Sequence, residues 1–316
     1  MRFSLGMPFT GHPLNDELTS GAAIAQIATT AEAAGFDAVF FTEHPIPSEA
    51  WLQTGGHDAL DPFVGLATVA AHTSSLRLLT NLTPLPFRNP LLLAKTVATL
   101  DRVSGGRLTL GVGTGYLKSE FFALGVDFDE RNALFDESIA TMRLAWTGES
   151  FSVDGLHFSA RNSRALPTPM QSPVPIWIGG NSKLSRRRVA EGAQGWMPMP
   201  NPREYAKARR SAPLETTEEL RGMVGYLRDH AESIGRTDPI DIMYMSFEGG
   251  APGQETWHPQ QHRESIDELE REGVTWLACN LDASPSLAGV LENIEQYGSD
   301  VLESFASGGT KGTDVL

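Results

Sequence analysis

Short apolar runs alternate with longer stretches of helical period, eight times over, and this rhythm restricts the fold more than any other feature. The runs are Phe3–Phe9, Ala38–Thr42, Leu76–Thr83, Leu108–Val112, Pro175–Gly179, Gly195–Met199, Ile240–Phe247 and Thr275–Leu281. Between them apolar residues recur at i, i+3 and i+4 spacing, as in Ile24–Gly35, Pro62–His72, Leu91–Val103 and Arg131–Trp146. Later helical stretches are Leu184–Gly192, Thr216–Gly235, His258–Gly273 and Pro285–Ser304, and Gly35, Gly192, Gly235 and Gly273 stand where helices end. Strand–helix alternation calls for a parallel sheet. Eight units of it favour a closed (β/α)8 TIM barrel over an open doubly wound sheet. With 316 residues, 41 % of them hydrophobic, the chain is long and apolar enough to fill such a barrel.

No break in composition divides the chain, so residues 1–306 are expected to form one domain. The irregular stretch 148–174 reads as an insertion between the fourth and fifth strands. It holds a hairpin with an Asp154-Gly155 turn and then Pro167, Pro169 and Pro173. Residues 307–316 have linker composition and are expected to be disordered. A net charge of −14 would repel a phosphate backbone, so nucleic acid is not an expected partner, although a local cationic pocket for an anionic cofactor is compatible with it. The single cysteine, Cys279, allows no internal disulfide and no cysteine metal cluster, and reads as a small buried residue on a strand. The N-terminus lacks the apolar core of a signal peptide, and no run reaches the ~18 apolar residues of a spanning helix. A cytoplasmic protein without membrane contact is the expectation. His258 and His262 share a helix face, but the residues between them include no Glu, so a zinc-protease site is not expected, nor any metal.

In a barrel the working residues leave the C-terminal ends of strands. After the second strand come Glu43 and His44, a carboxylate and an imidazole suited to proton transfer near neutral pH. Taken alone, such a pair is equally readable as a histidine satisfied by a backbone carbonyl. After the third strand Thr80, Asn81 and Leu82 lead into Pro84, Pro86 and Pro90, which suggests a shaped wall or simply the end of the strand. The fourth strand runs into Gly111-Val112-Gly113-Thr114-Gly115-Tyr116, where alternating glycines would let a flat ligand or a phosphate approach the backbone. The fifth is followed by Gly179, Gly180, Asn181 and Ser182 and then a helix, a ready site for an anion.

In this order the motifs resemble the luciferase-like monooxygenase superfamily, flavin- and deazaflavin-dependent oxidoreductases on a (β/α)8 barrel. The carrying segments are Ala31-Glu32-Ala33-Ala34-Gly35-Phe36-Asp37, Thr42-Glu43-His44-Pro45, and Arg88-Asn89-Pro90-Leu91-Leu92-Leu93-Ala94-Lys95 with Thr99-Leu100-Asp101. Ser104-Gly105-Gly106-Arg107, the glycine run ending at Tyr116 with Glu120, and Pro175-Ile176-Trp177-Ile178-Gly179-Gly180 complete the set, so the likeness spans Phe3 to about Phe305. The resemblance implies a tricyclic ring in the barrel mouth, with a non-prolyl cis peptide behind it that would fall at Asn81-Leu82. It places Glu43 and His44 beside the reactive edge of the ring, and Thr80, Gly113, Gly115 and Tyr116 around it. The cofactor phosphate would lie on Gly179, Gly180, Asn181 and Ser182.

The same resemblance favours coenzyme F420, a deazaflavin that transfers hydride, with FMN as the alternative. On the F420 reading a hydride passes to or from a small organic substrate (a carbonyl or alcohol, an imine or an activated alkene) and His44 handles the proton. Related deazaflavin enzymes carry Asp where Glu43 stands. The acidic tail of F420 needs a cationic groove, for which Lys118, Lys183 and Arg186 are candidates. On the FMN reading the protein is a monooxygenase that uses O2 and depends on a partner flavin reductase. A third possibility, of another class, is a barrel that binds a flavin or deazaflavin without turnover. The resemblance also implies a homodimer. The substrate would be shaped by the loop from Pro45 to Leu60, with Trp51 as an apolar cover, and by Met197-Pro198-Met199-Pro200.

Overall fold

The computed structural model describes residues 1–9, 11–281 and 284–306. The tail expected to be disordered, 307–316, lies outside the described residues. Each apolar run yields one strand: β1 (Arg2–Gly6), β2 (Ala38–Phe41), β3 (Arg77–Thr80), β4 (Leu108–Gly113), β5 (Ile176–Gly179), β6 (Gly195–Met197), β7 (Asp241–Tyr244) and β8 (Trp276–Cys279). Every strand pairs in parallel with its sequence neighbours, as in Phe40↔Leu79, Leu78↔Leu108 and Gly111↔Trp177. The sheet closes through β1 and β8, with Leu5 opposite Cys279. The result is the eight-stranded (β/α)8 barrel that the rhythm predicts.

The helices between the strands are α1 (Gly21–Ala34), α2 (Pro62–His72), α3 (Pro90–Val103), α4 (Arg131–Trp146), α5 (Lys183–Gly192), α6 (Thr217–Ser233), α7 (Pro259–Arg271) and α8 (Leu287–Tyr297). Six of these eight starts are capped by side chains that satisfy orphan amides: Ser20, Asp61, Asn89, Ser182 and Ser286, with a full capping box from Thr216 and Glu219. Where the resemblance-bearing Ser-Gly-Gly-Arg segment follows α3, Arg107 donates to the carbonyls of Ala70, Thr73, Leu76 and Ser104. That segment is therefore a clamp at the strand-entry end of the barrel, away from the mouth.

Along the strands residues alternate between two cores. Val39, Phe41, Leu78, Ile176, Ile178, Leu277 and Cys279 face the helices. Phe40, Leu79, Trp177, Met197, Met243 and Trp276 fill the interior, with Trp177 and Trp276 edge to face at 5.3 Å. Cys279 is thus the small buried strand residue expected, its thiol pushed up to about 12 by burial. Small residues leave room for that bulk. At Gly111 a Cβ would lie 1.8 Å from the Thr80 carbonyl oxygen and 2.8 Å from Met197 Cε.

The insertion forms an antiparallel hairpin, Phe151–Asp154 with Ser159–Ser163, whose turn runs from Gly155 to Phe158. The buried Asp101 carboxylate of α3 anchors the segment after it, accepting from the Met170 and Gln171 amides and from the Gln171 side chain.

Gly111→Ala is expected to lower unfolding free energy by about 3 kcal/mol, because the colliding atom is backbone and cannot rotate away. Gly222→Ala, on an open face of α6 with nothing within 4 Å, is expected to raise it by about 0.5–1 kcal/mol. Urea denaturation of the two variants beside the parent checks both signs.

Candidate active site

All eight strands point their C-terminal ends the same way, and the mouth there has an apolar floor. Leu82 and Met245, both partly buried, sit on the interior cluster. Leu82 arrives through a bend: β3 stops at Thr80, the Asn81-Leu82 peptide is cis, and the chain pairs again with β4 at Thr83 and Pro84. This bend is why the third strand is shorter than its apolar run. The Leu82 side chain occupies the space that a Cβ at Gly113 or Gly179 would fill, at 2.6 and 2.3 Å. Phe121 does the same at Gly115, whose φ of +75° also favours glycine. These glycines therefore make room for the protein's own side chains. The Thr80 hydroxyl is likewise engaged, donating to the Gly111 carbonyl at 2.7 Å.

Glu43 and His44, adjacent in sequence, enter different surroundings. Glu43 is 5 % exposed, and its Oε1 accepts two bonds from Arg88, at 2.8 and 2.6 Å. Arg88 reaches on to Asp61 at 2.7 Å, the residue that caps α2. Burial pushes the Glu43 carboxyl above its ordinary range, and Arg88 pulls it back only in part. Its second oxygen, Oε2, is buried without a hydrogen-bond partner.

His44 instead pairs with Glu120, Nδ1 to Oε2 at 3.2 Å, across 76 residues of sequence. Glu120 lies on the short helix Lys118–Ala123, is 2 % exposed, and also accepts from the Ile46 amide at 3.4 Å. Around the imidazole stand Trp51 at 4.6 Å, His57 at 5.1 Å and Tyr116 at 6.1 Å. Burial lowers the His57 pKa and keeps that ring neutral. Burial and the Glu120 charge push the Tyr116 phenol up to about 12, against Arg209 and Trp51, so it too is neutral. The arrangement is an imidazole oriented by a buried carboxylate and walled by aromatic rings. Glu120 and His57 were absent from the expected site residues. Glu120 could have been suspected as an acid within the glycine-run motif, but its partner could not.

Across the mouth, the expected anion site opens α5. Asn181 is fully buried, and its side chain holds the following segment by its backbone: Nδ2 donates to the Met199 and Ala212 carbonyls and Oδ1 accepts from the Met199 amide. Asn201 holds the Ser211 and Ala212 carbonyls in the same way. The Gly180 amide donates to Met197 and that of Asn181 to the Ser211 hydroxyl. What remains for an anion is the α5 N-terminus itself, where the Lys183 and Leu184 amides have no acceptor within the helix. Arg186 stands beside it, 7 % exposed, donating to the Ser182 carbonyl and resting on the Tyr226 ring at 4.8 Å. No carboxylate pairs with it among the described residues, and burial lowers its pKa. A buried guanidinium without a counterion is the chemistry a phosphate fits. No group of acidic, histidine or cysteine side chains suited to a metal occurs among the described residues, and none of their helices is long and apolar enough to cross a membrane.

Residues 1–247 match the luciferase-like monooxygenase family. The chain is similar to an F420-dependent glucose-6-phosphate dehydrogenase of Nakamurella multipartita, 32 % identical over 247 residues, 75 % of this chain and 67 % of that protein. Among solved structures it resembles a monooxygenase from Streptomyces bottropensis, with TM-score 0.76 and 22 % identity over 96 % of this chain and 100 % of that one. The coenzyme F420 dependent tetrahydromethanopterin reductase from Methanopyrus kandleri gives TM-score 0.71 at 18 % identity, covering 96 % and 99 % of the two chains. The oxygenating constituent of a Pseudomonas putida 3,6-diketocamphane monooxygenase, in complex with FMN, gives 0.73 at 16 %, covering 95 % and 97 %. At these identities the structural likenesses speak for the fold.

Arg88→Met leaves a buried carboxylate without its partner and is expected to cost about 3 kcal/mol near neutral pH. With the folded-state pKa of Glu43 raised still further above its unfolded value, the variant is most stable below the unfolded pKa and loses stability as pH rises. Urea midpoints for variant and parent should therefore converge towards pH 5 and separate towards pH 8, and Glu43→Gln in the Arg88→Met background should remove that dependence.

Proposed function

The chain belongs to the luciferase-like monooxygenase family, and on that footing we propose that it is an F420-dependent oxidoreductase. It would exchange a hydride between coenzyme F420 and a small organic substrate: a carbonyl or alcohol, an imine or an activated alkene. The observation that carries the proposal is the His44–Glu120 pair at an aromatic-walled mouth. The preference for F420 over FMN leans on the relative from Nakamurella multipartita, a far nearer sequence than the FMN-bound structure.

When bound, F420 supplies the carbon that gives or takes the hydride. The residues of this chain do the rest. Leu82 and Met245 offer a flat apolar floor to the ring. The α5 N-terminus after Gly179, Gly180, Asn181 and Ser182, with Arg186 beside it, holds the phosphate. Glu120 fixes the imidazole through Nδ1, so Nε2 faces the substrate. With Nδ1–H donated to the carboxylate, a neutral His44 accepts a proton at Nε2; the protonated ring donates one from the same atom. Glu120 is thus a positioning residue for His44. Glu43, turned into its bond with Arg88, fixes where β2 ends and so where His44 begins. Trp51, His57 and Tyr116 keep water from the reacting atoms and carry no charge of their own at neutral pH.

A paired titration of the purified protein with F420 and with FMN, oxidised and reduced, tests the cofactor. Tight F420 binding with weak FMN binding is expected; preference for reduced FMN would overturn it in favour of an oxygen-dependent monooxygenase. With a substrate in hand, His44→Ala should lower kcat by about 10²–10⁴-fold while the Kd for F420 stays within threefold. Full kcat in that variant would remove His44 from the proton path.

A further inference from the structure

The proposed reaction uses His57 only as wall, yet its ring presents an unmet polar atom. His57 Nδ1 lies 2.9 Å from the Asp58 carbonyl oxygen. A carbonyl only accepts, so Nδ1 carries the ring hydrogen, and in the neutral ring Nε2 is a bare lone pair, an acceptor. No hydrogen bond reaches that Nε2 among the described residues. The donors around it are engaged elsewhere. His44 Nδ1 is turned to Glu120. The indole of Trp51, 5.6 Å from the His57 ring, turns its N–H to the Tyr116 oxygen.

The ring is also held in place from both sides. The Asp58 amide donates to the Gly11 carbonyl at 3.0 Å, and the Asp58 carboxylate meets His12 Nδ1 at 2.8 Å. On the other side the Gly56 amide donates to the Trp51 carbonyl at 3.0 Å, and the indole packs so closely on Gly56 that a Cβ there would lie 2.4 Å from it. An acceptor already in position loses little freedom when a ligand meets it. The reacting end of the mouth is next to it, since the His57 and His44 rings meet edge to face at 5.1 Å between centroids. Both imidazoles have Nδ1 tied to a neighbour, so both present Nε2. One ligand can therefore meet two acceptors.

We propose that His57 is a specificity-determining residue whose Nε2 accepts a hydrogen bond from a second hydroxyl of the substrate, one or two carbons from the alcohol carbon whose own hydroxyl meets His44. The substrate class is then a diol or polyol or, in the reverse direction, a hydroxy-carbonyl compound. This deepens the oxidoreductase reading and rests on it for the role of His44. Oxidation of the reacting alcohol sends its hydride to F420 and its hydroxyl proton to His44, while the second hydroxyl is unchanged. A neutral hydroxyl suits the place better than an ammonium group. The two rings are near enough for a charge on one to bear on the other, and a cation between them would oppose proton uptake by His44. Hydroxyls on the side chain of the cofactor share this chemistry, and the experiment separates them from the substrate.

The probes are cyclohexanol, trans-cyclohexane-1,2-diol and trans-cyclohexane-1,3-diol, titrated into the protein with and without F420, its histidines labelled with ¹⁵N. At neutral pH the ring ¹⁵N spectrum of the parent should show His57 protonated at Nδ1 and bare at Nε2. At least one diol should move the His57 Nε2 signal towards its hydrogen-bonded position and bind about tenfold more tightly than cyclohexanol. His57→Phe keeps the aromatic wall and removes the acceptor, and should bind diols and cyclohexanol within about twofold of one another. The opposite tautomer overturns the proposal, as do diols that bind the parent no better than cyclohexanol or a diol preference that survives His57→Phe. If that variant fails to fold, the signal shift in the parent, assigned with His57→Gln, decides. A signal that F420 alone moves and that the diols then leave unchanged would give the acceptor to the cofactor and overturn the substrate assignment. A diol that moves the signal in a protein indifferent to F420 would sink the cofactor assignment and leave the role of His57 standing.

Discussion

A carboxylate out of water needs a partner, and the end of β2 is arranged around that need. Arg88 comes from beyond the cis bend, meets Glu43 through two nitrogens and continues to Asp61 at the start of α2. One guanidinium thereby ties the exit of β2, the turn after β3 and the first turn of α2. His44 leaves the strand from a point that cannot drift, because the residue before it is held on a buried ion pair. The catalytic geometry proposed here is inherited from a contact in which the catalytic group takes no part.

A second dependence runs through Leu82. Its side chain can cross to β4 and β5 because Gly113 and Gly179 present no Cβ there, and the close approach of Gly111 to the Thr80 carbonyl sets the strand spacing just below. Floor, bend and glycines form one unit. Changing any member shifts the surface on which a ring would rest, which gives a packing reason for glycines that also look suited to binding.

The barrel was legible because its rules are local. Apolar runs, helical periods, caps and terminal glycines each act within a few residues, and the ranges for α2 and α4 agree to the residue. Strand ends were less so: the run Ile240–Phe247 yields β7 only over Asp241–Tyr244, with Met245 beyond it resting on the interior cluster. The cis peptide at Asn81-Leu82 came from family likeness and not from anything in those two residues. Glu43 and His44, expected together beside the ring, enter different surroundings, the first facing Arg88 and the second Glu120. Glu120 sits on a short helix, 76 residues away, and only the closed fold brings it near His44. Asn181 is polar, at a strand end and next to glycines, and the fold uses its side chain to hold the main chain of the following segment.

The way Asn181 and Asn201 hold the segment between them has a consequence for how such a protein changes over generations. Both read only main-chain groups, the Met199 amide and the carbonyls of Met199, Ser211 and Ala212. A clasp that ignores side chains places no demand of its own on the residues from Lys207 to Arg210. Substitutions there leave both ends of the stretch fastened to the barrel. New specificities could accumulate there without each one having to rediscover a stable scaffold.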